Sequence, residues 1–390
     1  MTSRRRHNCA VWMSQVMSQV RKTRLFWIGS VALASLISVA ATAGAQTKAA
    51  AASATSKPAA STPAAAPKPA VKSSTRYSAT RSQNRKVALT RARTAALARA
   101  LAEAVPRYKT DPNGAVVPDL HAEAAIIYDP KTDEILWEQN SLELRSIASI
   151  TKVMTATVFL EDNPDLTELV TIMRSDVFRA STTHLRTNDK VTVDDLLHLL
   201  LIASDNAAAR ALARISTYGS AGFIDRMNAK AFELGLESTS YADSSGLLSD
   251  NVSSAFDLAR LITLASDDER IGSIMRTPEY TVRTTNARPR TLTFRSTNHL
   301  LGRPDVDVRA GKTGFISKAG YCLVTLLRLP QGGPQVAVVV LGARSNAGRF
   351  LETRNLFDWL STKTSAIFSA AAAQGSPVSS AAAVPQAEVQ

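Results

Sequence analysis

Cysteine is nearly absent: Cys9 and Cys322 are the only thiols in 390 residues. A disulfide framework is therefore not expected, and Cys322, inside the apolar run Tyr321 to Leu327, reads as a small buried hydrophobe rather than a nucleophile. Histidine is sparse too, at positions 7, 121, 184, 198 and 299, with no i,i+4 pair and no acids at ligand spacing, so neither a metal nor a cofactor is expected. Acids are missing from one part of the chain: residues 1–108 hold 18 Lys and Arg against one acid, Glu103, while the rest holds 28 against 32. The net charge of +13 thus belongs to the N-terminal extension. The remainder has neither the basic excess nor the aromatic platform of a nucleic-acid binder, and no nucleic-acid partner is expected. Large side chains are rare between Gln46 and Thr80 and after Ser365, where Ala, Ser, Thr, Pro and Lys dominate; these stretches cannot bury a core.

The extension carries its own signals. Arg4-Arg5-Arg6 and Arg21-Lys22-Thr23-Arg24 precede an apolar segment, Leu25 to Ala41, and Ala43-Gly44-Ala45 offers the small residues of a cleavage site. Residues 1–45 read as an export signal cut after Ala45, or as an uncleaved anchor with its basic end in the cytoplasm. Either way the expected location is the periplasm or cell envelope. Residues 46–117 read as a disordered linker containing a basic helix. Within it, over 81–107, Leu89, Leu97, Leu101 and Val105 recur at near-helical spacing among Arg85, Lys86, Arg91, Arg93 and Arg99. Such a helix either meets an anionic membrane or wall surface or simply leads, solvated, into the domain.

The folded domain is expected over residues 118–363, followed by a disordered tail, 364–390. Ala122–Tyr128 and Glu134–Glu138 flank a turn, Asp129-Pro-Lys-Thr-Asp133. Ile150 to Asp162 is apolar on most faces and predicts a buried central helix. Further helices are expected at Val193–Ile202 and Ala207–Ile215, broken at Ala203-Ser-Asp-Asn206, and at Gly222–Leu234 and Ala255–Ser266. Strands are expected near Tyr280–Thr284, Thr291–Phe294, Val308–Thr313, Tyr321–Leu329 and Val336–Leu341, then a helix at Asn346–Leu360. The fold class is α+β: one antiparallel sheet assembled from both ends of the domain, flanked by helices, with a helical subdomain inserted.

Inside Ser146-Ile-Ala-Ser-Ile-Thr-Lys-Val-Met-Thr155, Ser149 and Lys152 lie three apart, on one face of a helix. A serine hydroxyl needs a base, and a lysine buried among Ile147, Ile150, Val153 and Met154 loses its preference for the charged form. Alone, the S-x-x-K pattern equally describes a helix cap followed by a surface lysine. Ser204-Asp205-Asn206 and Lys312-Thr313-Gly314 follow at long intervals. In order, spacing and context the three elements resemble the penicillin-recognising serine enzymes, with their penicillin-binding and β-lactamase-like fold. The wording Ile147 to Thr155, Gly311 to Phe315, Ala319 to Val324, Phe294-Arg-Ser-Thr-Asn-His-Leu300 and Asp243-Ser-Ser-Gly-Leu247 is most similar to the D-alanyl-D-alanine carboxypeptidase family of low-molecular-weight penicillin-binding proteins.

That resemblance implies roles. Ser149 would be the acyl-ester nucleophile, Lys152 its base, Ser204 a proton relay to the leaving amine, and Asn206 a clamp on the substrate backbone. Lys312 and Thr313 would hold the substrate's terminal carboxylate, Gly314 would leave the strand edge open, and the backbone N–H groups of Ser149 and Phe315 would form the oxyanion hole. The implied partners are peptidoglycan stem peptides as substrates and β-lactams as covalent inhibitors. Both carboxypeptidase action on D-Ala-D-Ala and endopeptidase action on the D-alanyl-diaminopimelate bridge fit this site. The Phe294–Leu300 wording, with a chain ending soon after the Asn346–Leu360 helix, makes it similar to the endopeptidase subgroup of penicillin-binding protein 7. The alternatives are a class A-like β-lactamase, for which Glu233-Leu-Gly-Leu-Glu237 lacks the expected Asn, and a non-catalytic wall-binding scaffold, for which intact catalytic elements would be superfluous.

Overall fold

The computed structural model describes residues 105–374, together with Arg85, residues 87–95 and Ala98. The expected export signal, the 46–80 tether and residues 375–390 lie outside the described residues. Five strands form one antiparallel sheet in the spatial order Asp307–Ile316, Gly320–Arg328, Gln335–Ala343, Ala124–Asp129, Glu134–Gln139. Both ends of the domain therefore build one sheet, as expected.

Alternation along the central strands explains the layering. Ala124, Ile126 and Tyr128, with Ala337, Val339 and Leu341, join the core that contains Met154, Leu196 and Leu200 of the helical middle. Their neighbours Ala125, Ile127, Val336, Val338 and Val340 pack instead with Phe350, Leu356, Phe357 and Leu360 of the last helix. The sheet is thus covered on both faces. The helical middle comprises Lys152–Phe159, Val193–Leu201, Asn206–Ile215, Gly219–Glu233, Ala255–Asp267 and Glu269–Arg276, with the short Arg174–Val177. Side chains fix where these helices begin: Thr192 and Asp195 form a capping box, and Asp205 and Ser254 each accept a backbone N–H.

The structure departs from expectation in several places. Glu279–Arg283 and Thr291–Arg295 pair only with each other, outside the main sheet. Each buries a single side chain, Val282 or Phe294, so neither has the two apolar faces of a central strand. Residues 108–117 are not disordered linker: Tyr108–Thr110 pairs with Val116–Pro118 around a turn in which Asp111 Oδ1 accepts from the N–H groups of Asn113 and Ala115. Trp359 Nε1 donates to Val116 O at 3.1 Å and ties this hairpin to the last helix. That helix, Asn346–Gln374, runs past the expected boundary at Lys363. Glu269–Arg276 is a helix that the sequence reading passed over. Within the basic segment Arg85, residues 87–95 and Ala98 are helical, with Val87 and Leu89 about half exposed at 52% and 53%, whereas residues 105–107 are not helical, so Val105 does not continue the expected helix.

Candidate active site

Ser149 lies in a 3₁₀ turn, Ala148–Thr151, that runs into the helix Lys152–Phe159. Ala148 sits in the left-handed region at φ +48°, a conformation an alanine holds only when its surroundings enforce it. Two glycines do so. A Cβ on Gly246, itself at φ +78°, would lie 2.1 Å from Ala148 O, and one on Gly314 would lie 2.7 Å from Ile147 O and 3.2 Å from Ser149 N. The nucleophile turn is therefore clamped between the Asp243–Leu247 loop and the edge strand Asp307–Ile316. Gly314 is required by close approach to the nucleophile's backbone, on a different side from the open edge that the sequence suggested.

Lys152 is fully buried, and its Nζ lies 2.9 Å from Ser149 Oγ, 2.6 Å from Asn206 Oδ1 and 2.5 Å from the Ser245 carbonyl. Burial depresses its pKa to about 7, against opposing pulls from Asp205 and Asp243 and with help from Arg210. A neutral amine has two N–H bonds and one lone pair. The Asn206 and Ser245 oxygens can only accept, so in the neutral form they would take both N–H bonds and leave the lone pair to Ser149 Oγ. That is the geometry a general base needs.

The other two elements meet this one. Ser204, left-handed at φ +59°, accepts from Lys312 Nζ at 2.9 Å, and Lys312 also donates to Thr313 O at 2.9 Å. Lys312 is buried, and burial, then the Lys152 and Arg349 charges, hold its pKa well below the usual lysine range. Thr313 Oγ1 donates to Thr297 Oγ1 at 2.7 Å. Asn206 donates from Nδ2 to Ala180 O at 2.6 Å while accepting from Lys152. Phe315 is 49% exposed and stacks on Tyr321 at 4.3 Å. Hydrogen bonds and close backbone approach thus bring Ser149, Lys152, Ser204, Asn206, Lys312, Thr313 and Gly314 together, with exposed Phe315 next along the strand.

Several supporting residues escaped the sequence reading. Asp243 accepts from Ser245 Oγ, Gly246 N and Asn251 Nδ2, shaping the loop that presents the Ser245 carbonyl to Lys152. The string Asp243-Ser-Ser-Gly-Leu247 resembles the family's wording but carries no pattern that marks a backbone acceptor. Buried Arg349 donates through Nη1 to Gly314 O at 3.0 Å and Cys322 O at 3.1 Å, pinning the edge strand from the last helix. Burial lowers its pKa to about 10.

Three sequence elements that converge around a serine hydroxyl and a desolvated lysine, on an antiparallel sheet flanked by helices, define a serine enzyme of the penicillin-recognising class. Residues 111–345 match the family model described as D-alanyl-D-alanine carboxypeptidase, peptidase S11. The chain belongs to that family and is a serine-type hydrolase of the α+β penicillin-binding fold. It is 35% identical over 246 residues to a D-alanyl-D-alanine endopeptidase of Pseudomonas aeruginosa, covering 63% of this chain and 78% of that one. It is 32% identical over 255 residues to the D-alanyl-D-alanine carboxypeptidase DacC of Escherichia coli, covering 62% of each. Among solved structures, penicillin-binding protein D2 of Listeria monocytogenes in its cefotaxime-bound form superposes with a TM-score of 0.55 at 31% identity, over 62% of this chain and 98% of that one.

Proposed function

We propose that the protein is an exported serine DD-peptidase that opens peptidoglycan cross-bridges, acting as a D-alanyl-diaminopimelate endopeptidase, and that β-lactams acylate it at Ser149. The observation that carries the chemistry is the fully buried Lys152 amine, whose Nζ lies 2.9 Å from Ser149 Oγ. In this reading Lys152 takes the hydroxyl proton as Oγ attacks the carbonyl carbon of the scissile D-alanyl amide. The resulting oxyanion lies against the backbone N–H of Ser149 and of Phe315, next to the Gly314 clamp. As the C–N bond breaks, the proton held by Lys152 is relayed through the Ser204 hydroxyl to the departing amine, leaving Lys152 neutral and Ser204 protonated. Water then hydrolyses the ester and restores the serine. Lys312 and Thr313 hold the carboxylate next to the scissile amide, and the remaining N–H of the Asn206 amide meets a substrate carbonyl.

Endopeptidase action is favoured by the match to a named endopeptidase over 78% of its length, against 62% of the carboxypeptidase DacC. A β-lactamase needs a carboxylate to activate the deacylating water. Glu233, the candidate, ends its helix with its carboxylate held by Arg226 and Lys230. Export to the periplasm or envelope follows from residues 1–45, and the basic segment 81–107 is read as contacting anionic membrane or wall polymer.

The test is product identification by mass after incubating the full chain with a D-Ala-D-Ala pentapeptide and, separately, with cross-linked muropeptides. Cleavage of the cross-link is expected. Release of D-alanine from the pentapeptide alone would make the protein a carboxypeptidase instead. A fluorescent penicillin should remain on Ser149, and its rapid release would point to a β-lactamase.

A further inference from the structure

The Ser204–Asn206 turn makes two contacts with the chemistry, Ser204 Oγ with Lys312 and Asn206 Oδ1 with Lys152, yet its middle residue points elsewhere. Asp205 is completely buried. Its carboxylate accepts from Ala208 N at 3.0 Å as a helix cap, and also from Thr183 Oγ1 at 3.0 Å and His184 N at 2.5 Å. The His184 ring places Nδ1 3.4 Å from Asp205 Oδ2 and leans on Phe294 with 5.6 Å between centroids. The same segment accepts the other polar groups of the turn: Asn206 N donates to Thr182 O at 2.9 Å and Asn206 Nδ2 to Ala180 O.

A helix cap needs only a neutral acceptor, and asparagine or serine serves as well as aspartate. A full negative charge in a site with no solvent access is costly unless a cation faces it. His184, with 39% of its side chain exposed, is placed to supply that cation without being buried itself. Three non-glycine residues here are left-handed, Arg179 at φ +51°, Ser181 at +59° and Ser204 at +59°, so the two strands of chain hold one another in a conformation neither favours alone.

We propose that Asp205 and His184 are positioning residues of the hydrolytic reaction: their ion pair fixes the Ser204–Asn206 turn against the 180–184 segment, and its charge is felt at the Lys152 amine. The proposal rests on the reading of Lys152 as the base. The charged groups facing Lys152 are Asp205 and Asp243, which favour its ammonium form, and Arg210 and Lys312, which oppose it. His184 faces Asp205, which raises its pKa, and Arg290, which donates to the His184 carbonyl and pairs with Asp189.

Opposite charges give opposite signs. His184→Gln keeps an N–H donor near Asp205 and removes the cation, so the uncompensated carboxylate strengthens the Lys152 ammonium. Asp205→Asn keeps an acceptor for the cap and removes the anion, which weakens it. The experiment measures penicillin acylation of the full chain from acid to alkaline pH for wild type, both variants and Lys152→Ala, with thermal melting to confirm folding. The acidic limb should move to higher pH in His184→Gln and to lower pH in Asp205→Asn, each by roughly half a unit or more. Rates lowered at every pH with an unmoved midpoint, or a shift of the same sign in both variants, would overturn the proposal. Should Asp205→Asn fail to fold, the direction of the His184→Gln shift decides. A Lys152→Ala enzyme that retains the wild-type profile would overturn the base assignment itself, a separate outcome.

Discussion

At the scale of single residues, the proposed chemistry gives two buried lysines opposite tasks. In the proposed mechanism Lys152 acts uncharged. With its pKa depressed to about 7, the base form grows as pH rises through that value, so acylation should fall about tenfold per pH unit on the acid side and level off on the alkaline side. Stopped-flow acylation by a fluorescent penicillin measures this, and a profile flat across neutrality would contradict it. In the same mechanism Lys312 acts charged, although burial and its cationic neighbours favour the neutral amine. A substrate carboxylate beside it reverses that balance, so binding should take up a proton and KM should climb toward alkaline pH. Lys312→Ala should raise KM on the order of ten- to a hundredfold, the worth of one charge-assisted hydrogen bond, with a smaller change in kcat. The elements that carry Ser149, Lys152, Ser204, Asn206 and Lys312 were legible in the sequence because each is a short pattern of fixed internal spacing. Asp243, Ser245 and Asp205 were not, since they act through backbone carbonyls, caps and buried charge that no short pattern encodes.

At the scale of elements, the site is a meeting of four pieces of chain held at backbone distance. The Gly246 loop lies under the nucleophile turn, so Gly246→Ala would drive a Cβ into Ala148 O on a residue whose φ of +78° already disfavours alanine. Because both surfaces are backbone, they cannot yield cheaply. We expect a loss of about 2 kcal/mol or more in stability and a larger proportional loss of acylation, read by melting and by penicillin labelling. Arg349 is the corresponding clamp on the opposite side of the edge strand. Arg349→Met keeps volume but removes the donors to Gly314 O and Cys322 O, and should cost about 2–3 kcal/mol while slowing acylation. An unchanged melting temperature would show that the strand holds its place without it. The strands that form the main sheet were legible because runs such as Ala124-Ala-Ile-Ile-Tyr128 are apolar on both faces. The separate Glu279–Arg295 hairpin was misplaced because an isolated strand and an edge strand share the same one-sided pattern, and only pairing partners distinguish them.

At the scale of the whole molecule, charge is divided as sharply as structure. Residues 1–108 carry 18 cationic side chains and one acid, whereas the remainder, which includes the catalytic cleft, is slightly acidic at 28 against 32. A helix such as residues 87–95, with its described apolar side chains half exposed, buries too little to hold an apolar surface by itself, so attraction to an anionic one must come mainly from charge. Charge attraction at a surface is screened within about 10 Å at 0.1 M salt. The full chain should therefore sediment with vesicles containing anionic phospholipid at low salt, stay in solution with purely zwitterionic vesicles, and dissociate as salt is raised. Hydrolysis of a small soluble peptide should be indifferent to the vesicles, because Lys312 and Thr313 are buried and lie in the part of the chain without basic excess. Replacing Arg85, Arg91 and Arg93 by Gln should weaken vesicle binding at least several-fold while leaving peptide turnover unchanged. Binding that persists at high salt, or equally on zwitterionic vesicles, would assign retention to the apolar segment Leu25 to Ala41 rather than to charge.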